Sequence, residues 1–234
     1  MDYVNRVKRD VMNVFDDIAE EFDVTRVKPW SEIYFVSRFG GLIADFGCGS
    51  GRHVLALVDE GCEVLAMDVS RRMVSICLSK VRGGDKYRFV SGVVCDLNFL
   101  PLKPNSINHA LCLATIHHIP LFNVRLNVLN EIYMVLKNSG ILVLSVWALY
   151  QGRFLKYIPK MIINRIIGRV KEFGDIYVPW KSSKKTFMRF HHLFSKSEFI
   201  KLCRSSKFKL AFTYGKSLRK TIFHENHMAI LFKM

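Results

Sequence analysis

The chain has 234 residues, half of them hydrophobic, which is enough for one large globular domain and excludes a disordered polypeptide. No apolar run reaches the roughly 18 residues that a membrane-spanning helix needs, and the first ten residues resemble neither a secretory nor a transit signal. Net charge is +15, and the whole excess lies in residues 151–234, where 19 Lys and Arg face 4 Asp and Glu.

A neutral body followed by a basic last third predicts a polyanionic partner, nucleic acid before an anionic membrane, with a solvated basic surface as the alternative. The six cysteines contain no C-x-x-C pair, so their spacing predicts reduced, buried thiols and no metal site. Reduced thiols in turn predict a cytoplasmic protein. The cysteines are Cys48, Cys62, Cys77, Cys95, Cys112 and Cys203.

The first 39 residues are predicted to form a helical cap. Apolar residues recur at three- and four-residue steps over 4–22, which is typical of an amphipathic helix. Pro29-Trp30-Ser31 begins a second, short helix that ends near residue 39, and Gly40-Gly41 then breaks the chain.

Strands and helices alternate over residues 40–150. Strands are predicted at 42–46, 63–67, 87–94, 107–113 and 140–147, and helices at 51–60, 70–81 and 121–137, with Ser70 as an N-cap. The strands are almost continuously apolar. This combination predicts a parallel sheet covered on both faces by helices.

The pattern changes after residue 150. Residues 151–194 are basic and aromatic, and Pro159, Gly174 and Pro179 interrupt them, so an inserted helix and a loop are predicted. Ser195 caps a helix over 196–204, and residues 208–214 and 227–232 read as a closing antiparallel pair. The chain is therefore predicted to be one domain (1–234), with a cap (1–39), a core (40–150), a basic substrate-binding insertion (151–194) and a final segment (195–234).

A glycine-rich loop follows the first predicted strand and reads Asp45-Phe46-Gly47-Cys48-Gly49-Ser50-Gly51. Its G-x-G-x-G spacing is one residue shorter than the dinucleotide G-x-G-x-x-G spacing. Asp45 precedes the loop. A pyrophosphate has no need for a negative charge at that place, whereas a ligand with an ammonium and a sulfonium does. Asp68 ends the second strand, where a carboxylate can accept ribose hydroxyls. These features predict S-adenosylmethionine (SAM) as cofactor; a structural turn and an NAD-binding fold are the alternatives.

With these motifs the sequence resembles the class I SAM-dependent methyltransferases over about residues 40–150. The resemblance implies an α/β, Rossmann-like, seven-stranded sheet with the last strand antiparallel and helices on both faces. It also implies a set of cofactor-binding residues at the carboxyl ends of the strands. They are Asp45, Gly47, Gly49, Gly51, Asp68, Asp96, Leu97 and Ala114, followed by Thr115-Ile116-His117-His118.

Motifs outside the core resemble one branch of that family, the tRNA methyltransferases that esterify 5-carboxymethyluridine at the wobble position. They are Phe15-Asp16-Asp17-Ile18-Ala19, Phe22-Asp23-Val24-Thr25-Arg26, Pro29-Trp30, Val146-Trp147-Ala148, Gly174-Asp175-Ile176-Tyr177-Val178-Pro179-Trp180 and Arg189-Phe190-His191-His192-Leu193-Phe194. Lys137-Asn138-Ser139-Gly140 and Asn108-His109 depart from the branch's pattern. The resemblance implies tRNA as substrate and a small zinc-ribbon activator protein docked on the strand 87–94. That strand is expected to lie at the edge of the sheet. No membrane partner is expected for the protein.

A carboxylate acceptor is ionised at pH 7 and needs no general base. Arg26 and Arg189 are therefore the first candidates to clamp it, with His117 and Asp175 beside them, because a guanidinium binds a carboxylate bidentately. Each has a structural alternative: Arg26 can pair with the acids at 16–21, His117 can be a core histidine, and Asp175 can orient Arg189 or cap its loop.

Further candidates would hold the nucleoside or the RNA. Trp30, Trp147 and Trp180 are candidates to stack on uracil, with a core role as the alternative for Trp147. His191 is assigned to the same site, and Lys181, with the run Ser182-Ser183-Lys184-Lys185, to a phosphate.

Two other functions remain open. A small-molecule methyltransferase acting on a quinone or metabolite would use the basic amphipathic stretch 154–170 on lipid. A non-catalytic SAM-binding module that scaffolds RNA would bind SAM without turnover. RNA affinity that falls steeply with salt separates the RNA functions from the small-molecule one.

Overall fold

The computed structural model of the chain describes residues 2–82, 88–182, 185–217 and 223–234. The cap contains three helices, α1 (Tyr3–Asp17), α2 (Ala19–Thr25) and α3 (Glu32–Ser37). The prediction of one continuous helix over 4–22 is wrong, because the chain bends at Ile18 between α1 and α2. Ile18, at the bend, and Ala19, at the start of α2, are both fully buried.

The core is a seven-stranded sheet in the order β3-β2-β1-β4-β5-β9-β8. The strands are β1 (Leu42–Phe46), β2 (Glu63–Asp68), β3 (Val90–Val94), β4 (His109–Leu113), β5 (Ile141–Trp147), β8 (Lys209–Lys216) and β9 (Asn226–Phe232). The first five pair in parallel, and β9 pairs antiparallel with both β5 and β8. The predicted fold class, including the antiparallel last strand and the edge position of β3, is confirmed.

Helices cover both faces of the sheet, and each face has its own core. On one face α6 (Phe122–Val135) and α9 (Lys196–Ser205) pack through residues such as Leu129 and Phe199. On the other face α3, α4 (Arg52–Asp59) and α5 (Arg71–Val81) pack through residues such as Ile33, Leu57 and Cys77. As predicted, Ser70 caps α5 by accepting a hydrogen bond from the Met73 backbone N–H.

The insertion holds two helices, α7 (Gly152–Leu155) and α8 (Ile158–Ile166), and a two-stranded ribbon, β6 (Asp175–Lys181) and β7 (Thr186–His192). The prediction of a loop after the helix is wrong. Pro179 was read as a strand breaker, yet a two-stranded ribbon has only edge strands, where proline is tolerated. Gly174 opens the ribbon with φ +102°, and a Cβ there would lie 2.4 Å from the Leu193 carbonyl oxygen.

The ribbon is fixed against the body from two sides. Ala148 and Phe194 form a parallel bridge after β5 and β7, and α1 packs on β7 through Val7, Val11 and Phe190. These contacts bring the cap and the insertion together over the carboxyl ends of the parallel strands. Within the described residues, no helix is both long enough and apolar enough to cross a membrane. All six cysteines are free thiols, and only Cys95 is not fully buried.

Candidate active site

A cleft of about 830 Å³ opens over the carboxyl ends of β1 to β5. Its walls come from the cap helices, the loops that follow the strands, α7, β7 of the ribbon, and the adjoining ends of β8 and β9. Open α/β sheets bind ligands at this edge. The volume is that of a site for a cofactor together with a second small molecule.

The glycine loop after β1 forms the floor of the cleft. Gly47 has φ +81°, and a Cβ on it would lie 2.2 Å from the Thr115 side chain, so only glycine fits. Gly49 also lines the cleft, and its N–H donates to the Asp68 carboxylate at 2.9 Å. Gly51 does not line the cleft; it has φ +87° and packs on Cys77, whose Sγ would lie 2.4 Å from a Cβ. The expected cofactor contact of Gly51 is therefore replaced by a packing role.

Asp68 ends β2 and lies in the cleft wall. Its two carboxylate oxygens accept backbone N–H groups from Gly49 and Ser70, each at 2.9 Å. Burial raises the pKa of Asp68, and these two hydrogen bonds oppose the rise. A third backbone hydrogen bond, from Val69, also lowers its pKa. The carboxylate is thus held in place, and since it has about four lone-pair sites it can still accept a ribose hydroxyl.

Asp96, which follows β3, also lies in the cleft wall, as do Leu97 and Ala114. The Lys8 ammonium of α1 donates to one Asp96 oxygen at 2.8 Å, and the Asn98 N–H donates to the other at 3.0 Å. Ala114 has φ +55° and donates its N–H to Ser145 Oγ. The cap helix thus reaches the edge where an adenine would lie, a contact that the sequence did not predict.

Asp45 lies behind the cleft rather than in its wall. Its side chain is buried, and among the described residues Oδ2 has no hydrogen-bond partner. Burial raises the pKa of Asp45 to about 7, against the opposing charge of Arg52. The nearest ring nitrogen, Nδ1 of His53, is 3.8 Å from Oδ2. Since His53 lines the cleft, Asp45 can act on a cationic ligand only through or beside His53.

These groups fit SAM. Gly47 and Gly49 line the cleft, and the space beside Gly49 is open enough for a ligand to approach the backbone. Asp68 and Asp96 stand where a ribose and an adenine need acceptors, and Asp45 supplies a buried carboxyl group whose Oδ2 has no partner among the described residues. Binding of SAM by these groups requires no metal ion.

Three histidines form the opposite wall of the cleft, next to Trp147. His117 and His118 lie on a 3-10 turn after β4, and His191 lies on β7. The His191 ring stacks on Trp147 at 4.3 Å between centroids and lies parallel to His117 at 5.3 Å. Burial lowers the pKa of His118 to about 3 and those of His117 and His191 well below 6.5, so all three rings are neutral at pH 7.

Hydrogen bonds to the backbone fix the tautomers of these rings. The Trp147 N–H donates to His117 Nδ1, so the neutral His117 ring carries its proton on Nε2. His118 and His191 donate from Nδ1 to the carbonyls of Phe190 and Arg189, which leaves Nε2 of each as an acceptor. The three side chains are close enough to surround an ion, but a protonated Nε2 on His117 cannot bind one. The cluster is therefore a set of hydrogen-bonding groups.

Arginines give the cleft a strongly cationic end. Arg189 on β7 is buried, its Nε has no hydrogen-bond partner among the described residues, and its guanidinium lies 4.8 Å from the centre of the Trp180 ring. Burial, together with the charges of Arg26 and Arg153, lowers the pKa of Arg189 to about 10. Across the described chain no carboxylate forms an ion pair with Arg189. A buried guanidinium without a counter-ion is a site for an anionic ligand.

Arg26 and Arg153 line the same end of the cleft. The Arg26 guanidinium lies 5.6 Å from the centre of the Phe22 ring, and Arg153 lies 4.4 Å from the centre of the Trp147 ring. Trp30, in the wall nearby, has Arg52 and Lys216 over its faces. The sequence analysis did not predict a site role for Arg52, Arg153 or Lys216. Only Arg153 could have been suspected, because it follows β5 closely in the chain.

Besides Asp45 and Gly51, three predicted residues lie outside the cleft, namely Asp175, Trp180 and Lys181. The Trp180 indole donates to Glu21 of α2 at 3.3 Å, so it supports Arg189 from behind. Lys181 is exposed at the end of β6. In the run that follows Lys181, Ser183 and Lys184 lie outside the described residues, and Lys185 pairs with Asp17 at 4.0 Å.

Asp175 belongs to a separate, buried charge cluster. Its Oδ1 accepts from His192 Nδ1 at 2.8 Å and its Oδ2 accepts the Glu172 N–H at 3.0 Å, so it caps the turn before β6 and does not orient Arg189. Arg125, fully buried on α6, pairs with Glu172 at 2.6 Å. Burial alone lowers the pKa of His192, but its bonds to Asp175 and Glu198 outweigh this and raise it. Both ring nitrogens of His192 are occupied by these bonds, so the ring has no free atom for a metal ion.

Comparisons with known proteins agree with this geometry. Residues 44–144 match the family described as a methyltransferase domain. A tRNA (carboxymethyluridine(34)-5-O)-methyltransferase of Xenopus tropicalis is 33% identical over 144 residues, 60% of this chain and 21% of that protein. One from Schizosaccharomyces pombe is 25% identical over 221 residues, 84% of this chain and 87% of that protein. The match spans about a fifth of the length of the vertebrate relatives.

Solved structures show the same fold. A SAM-dependent methyltransferase from Methanosarcina mazei superposes with a TM-score of 0.73 at 20% identity, covering 88% of this chain and 99% of that one. A Burkholderia thailandensis 1,6-didemethyltoxoflavin-N1-methyltransferase, solved with S-adenosylhomocysteine, gives 0.68 at 16% identity and covers 100% and 92%. At such identities these likenesses concern the fold alone.

Proposed function

Since residues 44–144 form a class I SAM-dependent methyltransferase domain, we propose that this enzyme methyl-esterifies 5-carboxymethyluridine at the wobble position of tRNA. The observation that carries the proposal is the buried Arg189 guanidinium at the cationic end of the cofactor cleft. A carboxylate is the acceptor group that such a site selects, because two oxygens match the guanidinium fork.

SAM supplies a methyl group on a positively charged sulfur. A carboxylate oxygen forms the new bond to the methyl carbon as the carbon–sulfur bond breaks, and the electron pair leaves with sulfur, giving a methyl ester and S-adenosylhomocysteine. No proton moves, so no general base is required. The neutral histidines agree with this requirement, because none of them has to titrate for the reaction to proceed.

The protein's task is then alignment and exclusion of water. Arg189 and Arg26 hold the carboxylate, while Trp147 and Trp30 line the cleft beside the uracil ring. His117 Nε2–H can donate to a uracil carbonyl, and the unpartnered Nε2 of His191 can accept from N3–H. These neutral groups recognise the base through hydrogen bonds and do not compete with Arg189 for the carboxylate.

Two further observations support RNA as the carrier of the acceptor. The whole excess charge of +15 lies in the segment that includes the ribbon and the final strands. Relatives that match 60% to 84% of the chain are named as tRNA methyltransferases. The alternative, a small-molecule acceptor near lipid, is favoured by one feature: α8 exposes Ile163 and Ile166 at 56% and 78%.

An activator protein on β3 remains part of the proposal. β3 is the edge of the sheet, and Val94 on it is 50% exposed. An exposed apolar edge strand is available for pairing with another chain. Tyr87, in the predicted strand, lies outside the described residues.

The proposal is tested by incubating tRNA bearing 5-carboxymethyluridine with the enzyme, a zinc-ribbon activator and labelled SAM, followed by mass spectrometry of the nucleosides. The expected product is an alkali-labile methyl on the wobble uridine. Label on a ring nitrogen or a ribose, or transfer only to a quinone in vesicles, would contradict it.

A further inference from the structure

A second, smaller pocket lies where the start of α1 meets the segment after α8. Its volume is about 260 Å³, and it is lined by Tyr3, Arg6, Gly168, Arg169 and Lys171. It shares no lining residue with the active-site cleft. Nothing in the proposed chemistry uses it.

Three of the five lining residues are cations, and two of them converge on one ring. The Arg6 guanidinium and the Lys171 ammonium lie 5.8 and 6.0 Å from the centre of the Tyr3 ring. As far as the structure describes the chain, neither of these cations nor Arg169 forms an ion pair. Like charges gathered in one pocket repel each other, so an anion between them is stabilised.

The number of cations indicates the kind of anion. Three cationic side chains line one pocket, and a phosphate group offers a full negative charge with several acceptor oxygens that can bind more than one of them at once.

Two carboxylates near Tyr3 do not supply that anion. The charges of Asp175 and Glu172, together with burial, raise the pKa of Tyr3. Both acids are already compensated, because Glu172 pairs with the Arg125 guanidinium and Asp175 accepts from His192. The pocket cations therefore keep their net positive charge.

We infer that this pocket binds a backbone phosphate of the tRNA, an inference that rests on tRNA being the substrate. Tyr3, Val7, Val11 and Phe15 form one stripe of α1, and the Phe15 ring packs edge-on against His118 in the cleft. Twelve residues at 1.5 Å each place the two ends of the stripe about 18 Å apart. The phosphate therefore belongs to a nucleotide other than the acceptor.

The test compares Arg169→Gln, the double variant with Lys171→Gln, and a control, Arg204→Gln, which removes an exposed arginine on α9. tRNA affinity is measured from 50 to 200 mM salt by filter binding. Each lost phosphate contact should lower the slope of log affinity against log salt by about 0.7 to 0.9. The control should leave the slope unchanged. Methylation of the isolated 5-carboxymethyluridine nucleoside, which cannot reach this pocket, should be the same in all variants.

Unchanged salt slopes in both pocket variants would overturn the inference, and so would equal losses on tRNA and on the nucleoside, which indicate damage to the fold. Pocket-dependent sedimentation with vesicles containing phosphatidylserine, without any change in tRNA affinity, would assign the pocket to a lipid headgroup and also overturn it. If the pocket variants lower the slope but no methyl ester forms on any tRNA, the proposed reaction fails while the phosphate site stands.

Discussion

At the scale of single residues, the site combines groups whose charge the fold makes costly. Asp45 is buried beside the glycine loop with a pKa near 7, and Arg189 is buried among other arginines with a pKa near 10. Neither is a good residue for stability alone, because a buried charge without a partner is destabilising. Both become favourable when ligands of opposite charge bind. At these two positions, therefore, the residue that favours ligand binding lowers the stability of the unliganded protein.

Asp45→Asn tests the cost of this buried carboxyl group through the pH dependence of protein stability. Because folding raises the pKa of Asp45 above its unfolded value near 4, ionisation destabilises the folded state progressively from about pH 4 to 7, and fully above 7. The variant should therefore gain stability relative to the wild type as pH rises through that window, measured as the difference in Tm without ligand. SAM should raise the Tm of the variant less. A Tm difference that does not vary between pH 4 and 8 would contradict the account.

Asp68→Ala should weaken SAM binding at least about tenfold, because hydrogen bonds to a charged acceptor are worth about 1.5–3 kcal/mol each. Calorimetric titration with S-adenosylhomocysteine measures this directly. Asp10→Ala, which removes an exposed acid of α1, is the matched control and should bind normally. Undiminished affinity in Asp68→Ala would mean that the cofactor lies elsewhere in the cleft.

At the scale of elements, the ribbon β6–β7 decides the acceptor site because it carries Arg189 and His191. The Arg125–Glu172 pair and the Asp175–His192–Glu198 bonds connect it to α6 and α9. Arg125, Asp175 and His192 are buried, while Glu172 and Glu198 are partly exposed. Removing one partner leaves another uncompensated. The cluster therefore fixes where the ribbon lies, and through it the positions of two cleft residues.

Arg125→Met should destabilise the protein by about 3–5 kcal/mol, since Glu172 loses its partner in a poorly hydrated place. Urea denaturation followed by circular dichroism measures the loss. The double variant Arg125→Met with Glu172→Leu should recover much of it, because no unpaired charge remains. A single variant as stable as the wild type would show that the cluster does not anchor the ribbon.

The elements also show what the sequence could and could not predict. The strands and helices of residues 40–150 were predictable because their apolar patterns are continuous and their caps, such as Ser70, are local. The ribbon was missed because Pro179 and Gly174 are breakers in a central strand but not in a two-stranded edge. The break at Ile18 was missed because it depends on what α2 packs against.

Among the site residues, too, those placed by local sequence patterns could be predicted and those placed by distant contacts could not. The sequence could place Gly47, Asp68 and Asp96 together because loops that follow parallel strands meet at one edge of the sheet, and in the structure all three line the cleft. Their contact with the cofactor stays a prediction. Lys8 reaches Asp96 across 88 residues of sequence, and no local pattern announces such a contact. Asp175 was misplaced because its partner, His192, lies opposite it in a ribbon that was not predicted.

At the scale of the whole molecule, the cap and the insertion close over the SAM-binding core, and the excess positive charge lies in residues 151–234, which include the insertion. α1 contributes to both ends, through Lys8 at the cofactor and through Tyr3 and Arg6 at the cationic pocket. The same molecule leaves β3 exposed at the far edge of the sheet, where a partner can pair without covering β8. Acceptor, RNA backbone and activator are thus assigned to separate surfaces.

The central claim is that the cleft selects a carboxylate and methylates it without a base. It is tested most directly with two tRNAs that differ only at the wobble uridine, one bearing a 5-carboxymethyl group and the other the neutral 5-carbamoylmethyl group. The account predicts that only the first is methylated, and that it competes at least about tenfold better than the second for the wild type but not for Arg189→Gln. Equal competition by the two tRNAs, or methylation of the carbamoylmethyl form, would contradict it.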